Sequence, residues 1–170
     1  MGNNIAWLLA AISLCGCGYT AGSLTPYGIK TVAVPIFQND TLYRGYEFLL
    51  TKAIITEIAT RTSLHPTARD AAETMLVGNI TSIRQSTVIK DENRQATQFD
   101  VTIAVNILWT DTRTGKPIVP AQTLAETVQV TTDRGENFEN ALIQALRKLA
   151  RSIVYTLESP YLLTDMASEK

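Results

Sequence analysis

Cys15 and Cys17 stand one residue apart in the stretch LCGCGY at Leu14–Tyr19; they are the only two cysteines, and His65 is the only histidine. These are the side chains best suited to metal ligation or nucleophilic work, so their spacing limits the chemistry available. A C-x-C pair with no second pair and no histidine near it cannot complete a four-ligand zinc shell. A disulfide between the two would be strained, and no other cysteine remains to bridge. His65 sits before Pro66 with no serine, cysteine or carboxylate set beside it by spacing, so acid–base or nucleophilic catalysis lacks its base–nucleophile pair. No G-x-G-x-x-G follows the first strand, no P-loop lysine occurs, and the acids are scattered singly. The expectation is a protein that is not an enzyme and holds no metal and no cofactor.

The cysteines have a different use. Residues 5–14, IAWLLAAISL, are uncharged and almost wholly apolar, yet ten residues span only about 15 Å as a helix, half a bilayer core. That length and the small residues behind it fit the hydrophobic part of a secretory signal, although the leader MGNNIAW carries no Lys or Arg. Gly16 precedes Cys17, with Leu14 three residues before it, which resembles the bacterial lipobox; Cys15, preceded by Leu14, does not fit. The pattern predicts a signal peptide over 1–16, acylation at Cys17 and a tether over 17–28 whose TAGSLTPYG is small, polar and turn-rich. Gly18 after the cysteine points to the outer membrane.

The rest must supply a folded body. A chain of 170 residues with 45% apolar and 18% charged residues is an ordinary globular composition, and one domain over 29–163 is expected, with a loose tail over 164–170. A net charge of -1 gives no field that would draw in nucleic acid, so any anion must be recognised by a local cluster. Ile29 to Phe37 reads as a strand with Pro35 near an edge or bulge. Residues 46–61 follow a helical period, and His65-Pro66 is expected to end that helix. A strand from Met75 to about Ile83 leads into a polar hairpin. Phe99, Val101, Ile103, Val105, Ile107 and Trp109 then alternate with Asp100, Thr102, Ala104 and Asn106, the strongest strand signal in the chain. Leu124 to Val130 alternates again after a turn at Asp111–Lys116, and Phe138 to Leu157 repeats every 3.6 residues. The order β-α-β-β-β-α predicts an α+β two-layer sandwich, with two helices on one face of a mostly antiparallel four-stranded sheet.

This order brings the segments 38–45, 84–95 and 132–136 to the pole far from the tether. They carry Arg44, Arg84, Lys90, Arg94 and Arg134, five cations able to chelate phosphate or carboxylate groups. Asp40, Asp91, Glu92, Asp133 and Glu136 occupy the same segments and compete for those cations. Asn39-Asp40-Thr41 and Asn79-Ile80-Thr81 match the glycosylation sequon, a coincidence in a bacterial lipoprotein.

CGY at Cys17–Tyr19, IKTVAVPIFQNDT at Ile29–Thr41, the helix with Glu57, GNITSI at Gly78–Ile83 and VTIAVNILWTDTRTGK at Val101–Lys116 together resemble the LPS-assembly lipoprotein LptE family. The resemblance implies a two-helix, four-strand body that plugs an outer-membrane β-barrel, LptD, helps assemble it, and binds lipopolysaccharide in transit. It implies no catalytic residue. A polar outer sheet face is compatible with a hydrated barrel lumen. The phrase VAVPIFQNDT also resembles the opening strand of secretion and curli-pore assembly lipoproteins, which implies a homo-oligomeric ring as the alternative.

Overall fold

The computed structural model describes residues 28–90, 96–131 and 137–158. The strands are β1 (Thr31–Ala33), β2 (Gln38–Asn39), β3 (His65–Pro66), β4 (Thr74–Lys90), β5 (Ala96–Asp111) and β6 (Pro117–Thr131); the helices are α1 (Tyr46–Arg61) and α2 (Phe138–Glu158). Among these residues the sheet runs β3-β1-β4-β5-β6, with β2 also paired to β4. Pairs β4–β5 and β5–β6 are antiparallel, whereas β1 and β2 pair parallel with β4 and β3 pairs parallel with β1. The two-layer α+β architecture is therefore present, but the sheet is mixed and six-stranded rather than mostly antiparallel and four-stranded.

The differences have local causes. Pro35 has no N–H to give a ladder, so the expected strand over Ile29–Phe37 leaves the sheet after Ala33 and resumes as β2. Between them Phe37 folds inward, 3% exposed, and its backbone N donates to Thr51 Oγ1 of α1 at 3.0 Å. Its ring fills the space above Gly78, where any Cβ would overlap it, which is why that strand position is glycine. Helix α1 ends at Arg61, four residues before His65. Thr62 is extended, and both its N–H and its Oγ1 donate to the Ile58 carbonyl, at 3.0 and 2.9 Å. Buried Leu64 then pulls the chain across, and the His65 N–H donates to the Lys30 carbonyl at 2.7 Å, adding β3 to the edge.

Strand β4 continues to Lys90, well past Ile83. Leu76, Gly78 and Ile80 face the helices, and an irregularity between Ile80 and Ser82 lets Ile83 face them too. Strand β6 starts at Pro117, seven residues before Leu124. The register shifts between Ile107↔Gln122 and Trp109↔Val119, and Pro120, without a donor, falls in that irregular stretch. The core lies between the sheet and the helices: Leu50, Ile54 and Ile58 of α1, Leu142, Leu149 and Ile153 of α2, and Ile103, Ile107 and Trp109 of β5 are fully buried. Asp111 closes the β5–β6 turn by accepting from the backbone N of Arg113 and Thr114, both at 2.8 Å, with Gly115 at φ 67.

Candidate functional site

Asn39 organises the segment that joins β2 to α1. Its Nδ2 donates to the Tyr43 carbonyl at 2.7 Å and to Glu47 Oε2 at 2.8 Å, while its Oδ1 accepts from Thr41 N at 2.9 Å and Thr41 Oγ1 at 2.7 Å. Glu47 also accepts from Gly45 N at 2.9 Å, and Gly45 takes φ 93, a conformation that favours glycine. The Asn39 hydrogen bond is the largest cause holding the Glu47 carboxyl below the usual glutamate range. Both sequon asparagines are thus engaged, since Asn79 Nδ2 donates to Asp40 Oδ2. The loop leaves Leu42 95% exposed at its tip, and the Tyr43 ring packs 5.3 Å from Phe138 at the start of α2.

Of the five predicted cations, Arg44 lies in this loop, its Nη1 donating to the Asn39 carbonyl at 2.7 Å. Arg84 and Lys90 lie in β4, not in a loop: the expected hairpin segment 84–95 is strand as far as Lys90. Arg84 is exposed opposite Thr102, on the sheet face turned away from the helices. Asn39, whose carbonyl accepts from Arg44, is level with Ile80, about 13 Å along β4 from Arg84. Lys90 pairs with Ala96 at the end of the β4–β5 hairpin. Cys17, Arg94 and Arg134 lie outside the described residues. His65 is exposed on edge strand β3. Among the described residues no group of three His, Cys, Asp or Glu is positioned for a metal, and no helix is long and apolar enough to cross a membrane.

Two surfaces stand out. The outer sheet face is small and polar: Asn79, Ser82, Arg84, Thr102, Asn106, Thr123, Thr127 and Gln129 share it. Hydrogen bonds cross its strands from Thr102 to Thr127 (2.9 Å) and from Thr123 to Asn106 (2.6 Å). The second surface is a groove between α1 and α2, opening away from the sheet and rimmed by Lys52 and Arg147. Leu49, in its lining, is about half exposed, as is Phe48 on the same helix.

The described residues form a two-layer α+β domain with a polar sheet face on one side and two helices with a groove between them on the other. The family model described as LptE, lipopolysaccharide-assembly, matches residues 29–157, and the chain belongs to that family of LPS-assembly lipoproteins. No curated protein matches by sequence. Similar solved structures include a hypothetical protein of Chlamydia trachomatis, with TM-score 0.58 and 12% identity, covering 76% of this chain and 96% of that one. A Xanthomonas campestris protein gives TM-score 0.58 and 12% identity, covering 84% of this chain and 89% of its own. A minor lipoprotein of Acinetobacter baumannii gives 0.54 and 12%, covering 77% and 94%. At such identities the likeness concerns the fold alone.

Proposed function

We propose that the chain is an outer-membrane lipoprotein, held on the periplasmic side by acylation at Cys17, that plugs and helps assemble an LptD-type barrel and assists lipopolysaccharide transport. In this reading residues 1–16 are a removed signal peptide, 17–28 a lipidated tether, 29–163 the working domain and 164–170 a tail. The work is binding, not catalysis, and Arg44, Arg84, Lys90, Arg94 and Arg134 contribute contacts to the anionic groups of lipopolysaccharide.

The observation that carries the reading, beside membership of the family, is the outer sheet face. Across β4, β5 and β6 it presents threonine, asparagine, glutamine and serine, and hydrogen bonds between Thr102 and Thr127 and from Thr123 to Asn106 join its strands. A surface of that kind matches a hydrated lumen wall through hydrogen bonds, which a greasy face would not. Detergent extraction from native host membranes, followed by affinity capture of this chain and mass determination of the intact complex, tests it. A one-to-one complex with an outer-membrane barrel is expected. A high-order ring of this chain alone, or a free monomer in cells that contain the barrel, would contradict it.

A further inference from the structure

The groove between α1 and α2 is separate from both the sheet face and the loop cations. Leu49, Ala53, Ile143 and Leu146 supply its apolar lining, and its volume of about 450 Å³ is that of a small-molecule site. Exposed Lys52 stands on the α1 rim and exposed Arg147 on the α2 rim. Among the described residues neither side chain makes a hydrogen bond or an ion pair. Glu57 is the single acid in the lining, and its carboxylate is already held by Arg61 and, at 3.3 Å, by Arg151. Those three charges sum to +1, so Glu57 does not neutralise the rim.

An apolar trough between two unpaired cations is complementary to a molecule that is apolar along its length and anionic at one end. A neutral apolar ligand would fill the trough and leave both cations without partners. A short inorganic anion would satisfy the cations and leave the lining wet. Arginine's planar fork donates to two oxygens of one phosphate, and lysine adds a point charge from the opposite wall.

We propose that this groove binds a single aliphatic chain that carries a phosphate group at one end, the chain lying on Leu49, Ala53, Ile143 and Leu146 and the phosphate between Lys52 and Arg147. The groove opens on the side away from the sheet, so the assignment does not rest on the barrel reading. Calorimetric titration of the purified full chain tests it, with dodecyl phosphate and dodecyl maltoside below their micelle concentrations and with inorganic phosphate. Dodecyl phosphate is expected to bind more tightly than either of the others. Each methylene from octyl to dodecyl phosphate should tighten binding about fourfold, the equivalent of about 0.8 kcal/mol per methylene removed from water. Lys52→Glu with Arg147→Glu, at exposed positions, should weaken dodecyl phosphate about tenfold or more. Ala53→Phe should fill the trough and abolish binding; if it does not fold, Ala53→Leu at the same position should still weaken it.

Equal affinity for dodecyl phosphate and dodecyl maltoside, or no dependence on chain length, would overturn the assignment. So would unchanged binding in the charge-reversed variant. Barrel capture by the charge-reversed variant is read in parallel. Loss of amphiphile binding with the barrel complex retained separates this site from the plug.

Discussion

Asn39 uses both ends of its amide to fold the turn between β2 and α1, donating to Tyr43 and Glu47 and accepting twice from Thr41. Asn39→Ala leaves the Glu47 carboxylate and the Thr41 hydroxyl short of partners, so it should destabilise the domain by about 1–3 kcal/mol in urea unfolding. Aspartate should not rescue it, because a carboxylate cannot donate to Glu47. Gly78 is constrained from the other side: Gly78→Ala drives a methyl into the Phe37 ring and should cost about 1–3 kcal/mol, whereas the double variant with Phe37→Leu should recover part of it. Glu73 ties the entry of β1, accepting from Lys30 N at 2.7 Å and Thr31 N at 3.1 Å, with the Lys30 bond the largest cause of its lowered pKa. A carboxyl depressed in the folded state stabilises it above the unfolded value and loses that stabilisation as pH falls toward the folded one. The urea midpoint should therefore drop as pH is lowered below about 4.5, and Glu73→Gln should flatten that drop. An equally steep acid limb in Glu73→Gln would remove Glu73 from the account.

At the level of elements, α2 and α1 differ in how they meet water. Helix α2 buries Ala141, Leu142, Ala145, Leu146, Leu149, Ala150, Ile153, Val154 and Leu157 on one stripe, and it exposes Gln144, Arg147, Lys148 and Arg151 on the other. Leu149→Ala should cost about 2–5 kcal/mol by thermal or urea unfolding. Glu57→Gln, which removes the ion pairs to the exposed Arg61 and Arg151 side chains, should cost no more than about 1 kcal/mol. Both helices and the β5 strand were legible because their apolar residues repeat at 3.6 or 2 over more than ten positions. The extension of β4 past Ile83 was not, since Arg84, Gln85 and Ser86 are exposed and polar, and only backbone pairing with Thr102, Val101 and Asp100 makes them strand. Two-residue β2 and β3 carry no period at all; they exist because β4 and β1 offer open edges beside them. The inter-helix groove was invisible for a related reason. Lys52 and Arg147 are 95 residues apart in sequence, and only the packing of α1 beside α2 puts them on opposite rims.

The described residues form two layers with unlike outer sides. One side carries two helices with a basic-rimmed groove, and the other carries a polar lattice of threonine and amide side chains. The sheet ends on β6, a fifteen-residue edge strand whose Pro117 and Pro120 remove two donors from one end only. In the proposed plug the polar sheet face, rather than the helix face, meets the lumen of an outer-membrane barrel. Single photocrosslinking residues at Asn106 and Thr127 on the sheet, and at Gln144 and Lys148 on the helix side, test it in living host cells. Covalent adducts to a barrel-sized partner from Asn106 and Thr127 but not from Gln144 or Lys148 are predicted. Adducts to the barrel from the helix positions alone, or crosslinks that join only copies of this chain, would contradict the account.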